Sequence, residues 1–253
     1  MTESLLLFTR RILPAQLRHW LGKQQRSFRC WPPVGWVQFG SLRRLQPVSR
    51  VFGFDRGQCI DRYYIENFLA RYAQDIHGSV LEVANNAYTM RYGGARVTQS
   101  DVIHVKEDNP RATIVADLSS SNSIPLNTFD CIIFTQTLQF IYDLRAAVLT
   151  LHRILKPGGV LLATMSGISQ ISRYDMDRWG DYWRFTSLSA RRLFEEVFLP
   201  ADVTVRSYGN VLAANAFLHG LATEELRQEE LDYDDPDYEL LITVRAVKAK
   251  ENS

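Results

Sequence analysis

The densest group of chemically useful side chains is the run Arg173-Tyr174-Asp175-Met176-Asp177-Arg178-Trp179-Gly180-Asp181-Tyr182-Trp183-Arg184. Aromatic faces stack on the C–H groups of a sugar ring while carboxylate and guanidinium forks bind its hydroxyls, so Arg178, Trp179, Trp183 and Arg184 suit a polar, sugar-like ligand. Asp175, Asp177 or Asp181 can supply the base that a hydroxyl nucleophile requires. A second reading stays open: a folded loop whose tryptophans pack on a core and whose ions pair locally. Asp61, Arg62, Tyr63 and Tyr64 lie far upstream and can close the same cleft from its other side, with Tyr64 as a candidate contact. His104 is a third candidate base, although an isolated histidine is more often a loop residue. The five histidines show no paired spacing and no Cys-x-x-Cys occurs, so no metal site is expected.

Short apolar runs space these residues as an α/β sheet requires. Five candidate parallel strands cover Ser79 to Ala84, Val97 to Val105, Thr113 to Ala116, Asp130 to Thr135 and Val160 to Met165. An amphipathic helix from about Asp61, with Ile65, Phe68, Leu69, Tyr72 and Ile76 on one stripe, precedes the first strand. Leu144, Ala147, Val148, Leu151, Ile154 and Leu155 mark a helix between the fourth and fifth strands, stopped by Lys156-Pro157-Gly158-Gly159. A helix from Leu188 to Phe198 with Ser187 as N-cap, a strand from Asp202 to Tyr208, an inserted helix from Val211 to Leu221 and a last strand from Glu239 to Val247 complete the chain. In a doubly wound sheet ligands sit beyond the carboxyl ends of the strands where strand order reverses, so residues just after each strand are the site candidates.

Val80-Leu81-Glu82-Val83, Asp101, Ile124-Pro125-Leu126, Phe129-Asp130-Cys131-Ile132-Ile133 and Leu155-Lys156-Pro157-Gly158-Gly159-Val160, in that order, resemble the class I S-adenosylmethionine-dependent methyltransferases over about Ser79 to Met165. More loosely, the chain from Phe52 onward resembles methyltransferase-like proteins associated with bacterial glycan and polysaccharide biosynthesis. The resemblance implies a Rossmann-like α/β sheet, mostly parallel with an antiparallel last strand, and S-adenosyl-L-methionine as cofactor. It places Asp101 at the ribose hydroxyls, Asp117 beside the adenine, and Thr135, Gln136 and Thr137 at the methyl-transfer end. Glu82, ending the first strand, can accept hydrogen bonds from the cofactor or from a neighbouring amide. A basic, aromatic-rich extension over residues 1–55 and a methyltransferase-like domain over 56–253 are the expected division.

One departure stands out. The family follows its first strand with a glycine-rich turn, whereas Val83 is followed here by Ala84-Asn85-Asn86-Ala87-Tyr88-Thr89. The links from first to second and from second to third strand are also too short for full helices. Asn85 and Asn86 tolerate positive φ and have amides that can hold the cofactor's amino-acid end, which keeps a remodelled site working. The competing reading is a catalytically inactive domain that serves as a binding or accessory module for a glycan-biosynthesis partner. The favoured expectation is methylation of a hydroxyl on a sugar, glycan or other small acceptor.

Composition sets outer limits. The 253 residues carry a net charge of +1, which gives no global reason to expect a nucleic-acid partner. Up to Arg50, however, nine arginines and lysines face only Glu3, and Trp20, Trp31 and Trp36 lie among them. That arm suits a glycosyltransferase contact or a peripheral membrane contact, or a packed extension with a solvated basic face. Three cysteines without a close pair point to a reducing cytoplasm, and no apolar run approaches the roughly 20 residues of a membrane span.

Overall fold

The computed structural model describes residues 32–33, 36–120 and 123–250. Two compact units emerge, Met1–Leu45 and Gln46–Ser253. In the first, the described residues form a single 3-10 turn at Gly40–Leu42, and Arg43 lies over the Phe39 ring. Trp20, Trp31 and most of the basic residues of the arm lie outside the described residues.

The second unit is built on one seven-stranded sheet: β1 Gly78–Val83, β2 Val97–His104, β3 Ile114–Val115, β4 Phe129–Thr135, β5 Leu155–Ser166, β6 Val203–Tyr208 and β7 Leu241–Val247. Their order is β3-β2-β1-β4-β5-β7-β6; the first five are parallel, and β7 runs antiparallel to both its neighbours. This is the expected Rossmann-like arrangement. Strand order reverses between β1 and β4, which fixes where a ligand crevice opens.

The helices follow from period. Central strands are apolar on both faces, so alternate residues feed two cores. Leu81, Ile132 and Leu161 face the helices α2 Leu144–Ile154 and α4 Ser187–Glu195, with the short α3 Arg173–Met176 between those two in sequence. Val80, Ile133 and Leu162 face α1 Ile60–Arg71 and α5 Val211–Leu218; α6 Gln228–Asp232 adds Leu231 to that second core. Asp143 caps α2, its carboxylate accepting from Ala146 N at 3.0 Å. At α4 the cap is Thr186, not Ser187: Thr186 and Ser189 form a reciprocal capping box, and Ser187 is already helical.

Two details differ from the sequence expectation in ways that shape the site. The α1 stripe stops at Arg71, and the chain reaches β1 through a 3-10 turn at Ala73–Asp75. The Lys-Pro-Gly-Gly segment does not precede β5 but forms an irregularity within it: Leu155 pairs with Phe129 and Val160 with Cys131, so four residues stand opposite Asp130. Between β1 and β2 there is a single π-helical turn at Thr89–Gly93 and a 3-10 turn at Gly94–Arg96, in place of a crossover helix.

Candidate functional site

A cavity of about 1030 Å³ opens at the carboxyl edge of the sheet, around the reversal between β1 and β4. Its floor is made by the ends of β1 (Glu82, Val83), β2 (Ile103, His104), β4 (Phe134, Thr135) and β5 (Ser166). The start of α1 walls one side and the segment from Ser169 to Arg184 covers another.

Glu82 lines the cavity yet is only 2 % exposed, and the loop that follows it occupies its oxygens. Oε1 accepts from Tyr88 N at 3.2 Å, while Oε2 accepts from Thr89 N and Thr89 Oγ1, both at 2.7 Å. Burial pushes this carboxyl above its ordinary range, against the pull of the Thr89 and Tyr88 bonds. Its first role is therefore to fold the turn after β1. That turn takes its left-handed residue at Ala84, with φ of 65°, and not at either asparagine. Asn109 fixes it from outside by donating Nδ2 to Ala84 O at 2.7 Å.

Asn85 lines the cavity and closes an Asx turn onto Ala87 N, whereas Asn86 is turned away, donating to Ser100 Oγ at 3.1 Å. Asp101 needs the same correction. β2 continues three residues past it, so it sits mid-strand opposite Leu81 and accepts from Thr113 Oγ1 at 2.9 Å and Gln99 Nε2 at 2.6 Å, outside the cavity lining. Asp117 does line the cavity, with Oδ1 holding Ser119 N and Oγ in a turn. Thr135 and Gln136 line it at the end of β4; Gln136 has φ of 48°, and its Oε1 accepts from Ser166 Oγ at 2.8 Å and Gln139 Nε2 at 2.7 Å.

The aromatic, charged segment divides. Trp179, Asp175, Asp181 and Arg184 line the cavity. Trp183 does not: its Nε1 donates to Ile141 O at 3.1 Å and its ring packs on the first core. Arg178 lies over the Tyr174 ring at 3.5 Å, outside the lining, and Tyr64 is buried beneath α6 with its hydroxyl donating to Leu231 O at 3.0 Å. Packing and local pairing thus account for three of the five expected ligand contacts. Asp181, with a side chain 1 % exposed, is held at both oxygens, by Arg184 Nη1 and Nη2 and by Ser172 N. Asp175 accepts from Ser172 Oγ. His104 lines the cavity with its ring edge-on to Trp179, and its Nδ1 lies 2.9 Å from Lys106 O.

Sequence reasoning missed Gln139, Ser166 and the exposed Tyr142, which stands edge-on to Tyr182 of the aromatic run. Gln139 and Ser166 are buried polar residues of the lining, and Gln139 Oε1 has no hydrogen-bond partner. Ser166 ends β5, so the strand-end rule already pointed to it; Gln139 and Tyr142 carry no spacing signal. Among the described residues no group of His, Cys, Asp and Glu is disposed to hold a metal ion, and no helix is long and apolar enough to cross a membrane.

Known proteins share the domain and its fold. Residues 67–163, from within α1 to within β5, match the family model of the methyltransferase domain. No curated protein matches the chain significantly in sequence. Among solved structures, a SAM-dependent methyltransferase from Archaeoglobus fulgidus superposes with a TM-score of 0.50 at 12% identity, over 74% of this chain and 94% of that one. The [4+2]-cyclase SpnF superposes with a TM-score of 0.50 at 14% identity, over 77% of this chain and 85% of its own. At such identities the likeness is one of fold, and a cyclase among the neighbours shows that this fold alone does not fix a reaction. Residues 67–163 therefore match a methyltransferase domain, set in a Rossmann-like methyltransferase fold.

Proposed function

We propose that the protein is an S-adenosyl-L-methionine-dependent methyltransferase whose acceptor is a hydroxyl of a small, sugar-like molecule. The observation that carries the reading is the division of one cavity into three chemical environments. On the β2–β3 side, Ile103, Val105, Ala116 and Leu118 form an apolar slot suited to a flat heteroaromatic ring. On the α1 side the wall is charged, with Asp61, Arg62, Glu66 and Arg91. Over β4 and β5 it is polar, with Gln136, Gln139 and Ser166 below, Tyr142 and Tyr182 at the rim, and Asp175 and the Asp181–Arg184 pair in the covering segment. The residues thus fit an elongated cofactor with an aromatic end and a zwitterionic end. The volume stands at the top of the roughly 300–1,000 Å³ usual for one ligand, which leaves room for an acceptor.

Bound there, the cofactor supplies an electrophilic methyl group on a sulfonium, released with the C–S electron pair left on sulfur. The chain's own work is to align the acceptor and receive its proton. Tyr142, 71 % exposed, stands edge-on to Tyr182 at 5.4 Å and offers faces for the C–H side of a sugar ring. Gln136 and Gln139 line the same part of the cavity, and their amides suit a second hydroxyl. Asp175 is the proton acceptor, since both oxygens of Asp181 are already bound.

The test is calorimetric titration with S-adenosylmethionine and S-adenosylhomocysteine, followed by transfer of labelled methyl to a panel of free sugars and glycosides. Micromolar binding with label on a sugar oxygen supports the reading. Binding without transfer to any acceptor favours the accessory-module alternative, and absence of binding at millimolar ligand removes the cofactor assignment.

A further inference from the structure

The turn after β1 contributes no free carboxylate to a ligand, because its one acid, Glu82, is taken by the amides of Tyr88 and Thr89. The other acids of the lining are engaged as well. Glu66 pairs with Arg91 at 2.9 Å, Asp117 holds Ser119, Asp175 holds Ser172, and Asp181 holds Arg184. Asp61 differs: the residue lines the cavity, while its Oδ1 is buried and has no hydrogen-bond partner. An unsatisfied buried carboxylate oxygen is costly, and burial pushes this carboxyl above its ordinary range, so a positively charged donor at the cavity face of the same carboxylate favours its ionised form. The neighbouring Arg62 donates Nη1 to Tyr88 OH at 3.0 Å, and a guanidinium has further donors in its fork. A carboxylate and a guanidinium side by side on the first turn of α1, both in the cavity wall, match the ammonium and carboxylate of an α-amino acid.

We propose that Asp61 and Arg62 form the subsite for the zwitterionic amino-acid end of the cofactor, Asp61 receiving the ammonium and Arg62 the carboxylate. This assignment rests on the cofactor reading above. It transfers to α1 a task that the glycine-free turn at Ala84–Thr89, occupied with folding around Glu82, does not perform. The ends of the cavity agree with it: the apolar slot at β2 and β3 and the charged wall at α1 face a ligand that is aromatic at one end and doubly charged at the other.

Binding, not turnover, tests it, with S-adenosylhomocysteine and its deaminated analogue as probes. The intact protein is expected to bind S-adenosylhomocysteine at least about tenfold more tightly than the analogue, the scale of one charge-assisted hydrogen bond. Asp61→Asn, nearly isosteric, is expected to reduce that ratio to within about threefold by weakening only the ammonium-bearing probe. Arg62→Gln is expected to weaken both probes about equally, since both retain the carboxylate, and to leave the ratio intact. Asp101→Asn, a carboxylate outside the cavity, serves as control and leaves both affinities unchanged. A ratio unaffected by Asp61→Asn in a protein that binds both probes overturns the subsite while leaving the cofactor reading standing. If the intact protein binds neither probe, the cofactor reading falls and the subsite with it. A lowered melting temperature of the Asp61→Asn apoprotein, together with a probe ratio in that variant equal to that of the intact protein, identifies Asp61 as a helix-start residue only, which also overturns the proposal.

Discussion

Replacing Arg184 by methionine isolates the contact that closes the segment from Ser169 to Arg184 over the cavity. Arg184 meets Asp181 at 2.5 Å through Nη1 and at 3.0 Å through Nη2, and also donates to Gln170 O at 2.6 Å and Trp183 O at 2.7 Å. Asp181 is 1 % exposed at its side chain, and its one remaining donor in the variant is Ser172 N at 2.9 Å. Breaking a buried ion pair from one side costs about 3–5 kcal/mol, and because Arg184 is 29 % exposed we take the lower end, about 3 kcal/mol. For a unit of roughly 200 residues each kcal/mol moves the melting temperature by about 2–4 °C, so a fall of about 6–12 °C is expected by calorimetry. Urea unfolding at pH 7 supplies the free energy directly. Asp181→Asn combined with Arg184→Met removes the stranded charge and should recover at least half of the loss. A loss below about 1 kcal/mol in the single variant, or a double variant whose loss equals the sum of the singles, refutes the reasoning.

Ala84→Gly should stabilise the protein by about 0.5–1 kcal/mol, because a left-handed alanine costs about 1–2 kcal/mol and glycine returns part of that as chain entropy. A destabilised variant in urea unfolding would show that the Ala84 methyl group is held by packing. Asp130 carries a pH signature. Burial pushes its carboxyl up, but Lys156 Nζ at 2.6 Å and Ser79 N at 2.8 Å outweigh that and hold it below its ordinary value. Its stabilisation is thus present above the unfolded value of about 3.9 and disappears as pH falls through the lower folded value. Asp130→Asn should cost about 1 kcal/mol at pH 7, after allowance for the half-exposed lysine, and should flatten the acid limb of stability below about pH 4. Parallel acid limbs for the two proteins would contradict this.

Period and punctuation made the sheet readable from sequence. The alternation of Val80, Leu81, Ile132, Ile133, Leu161 and Leu162 between two cores gives short, wholly apolar runs, and Asp143 and the Lys-Pro-Gly-Gly segment bound α2. The site was readable where a residue's position at a strand end settles its exposure, as for Thr135, Gln136 and His104, and in part from the composition of the run that supplies Asp175, Trp179, Asp181 and Arg184. Asp101 was placed by the resemblance and not by that rule: the strand read over Val97 to Val105 already had it in mid-strand, and β2 runs to His104. Trp183, Arg178 and Tyr64 failed for a different reason: an amphipathic side chain serves a core, a neighbour or a ligand equally well, and only tertiary packing decides. The emptied glycine turn was legible, and Asp61 and Arg62 were readable as one side of the cleft; that they line the same cavity as Ala84 is fixed by tertiary packing.

β3 has a further consequence, for association between copies. Ile114 and Val115 form an edge of two residues beside β2. Thr113 already uses its hydroxyl as well as its amide against Val102, and the approach loop carries Lys106, Glu107, Asp108 and Arg111 around Pro110. An incoming strand therefore finds about two rungs to pair with and a charged, proline-interrupted border beyond them, too little to nucleate sheet growth. The shortness that deprives β2 and β3 of a crossover helix leaves Val105 and Val115 exposed, and the same shortness denies them the backbone length on which exposed valines would become an aggregation seed.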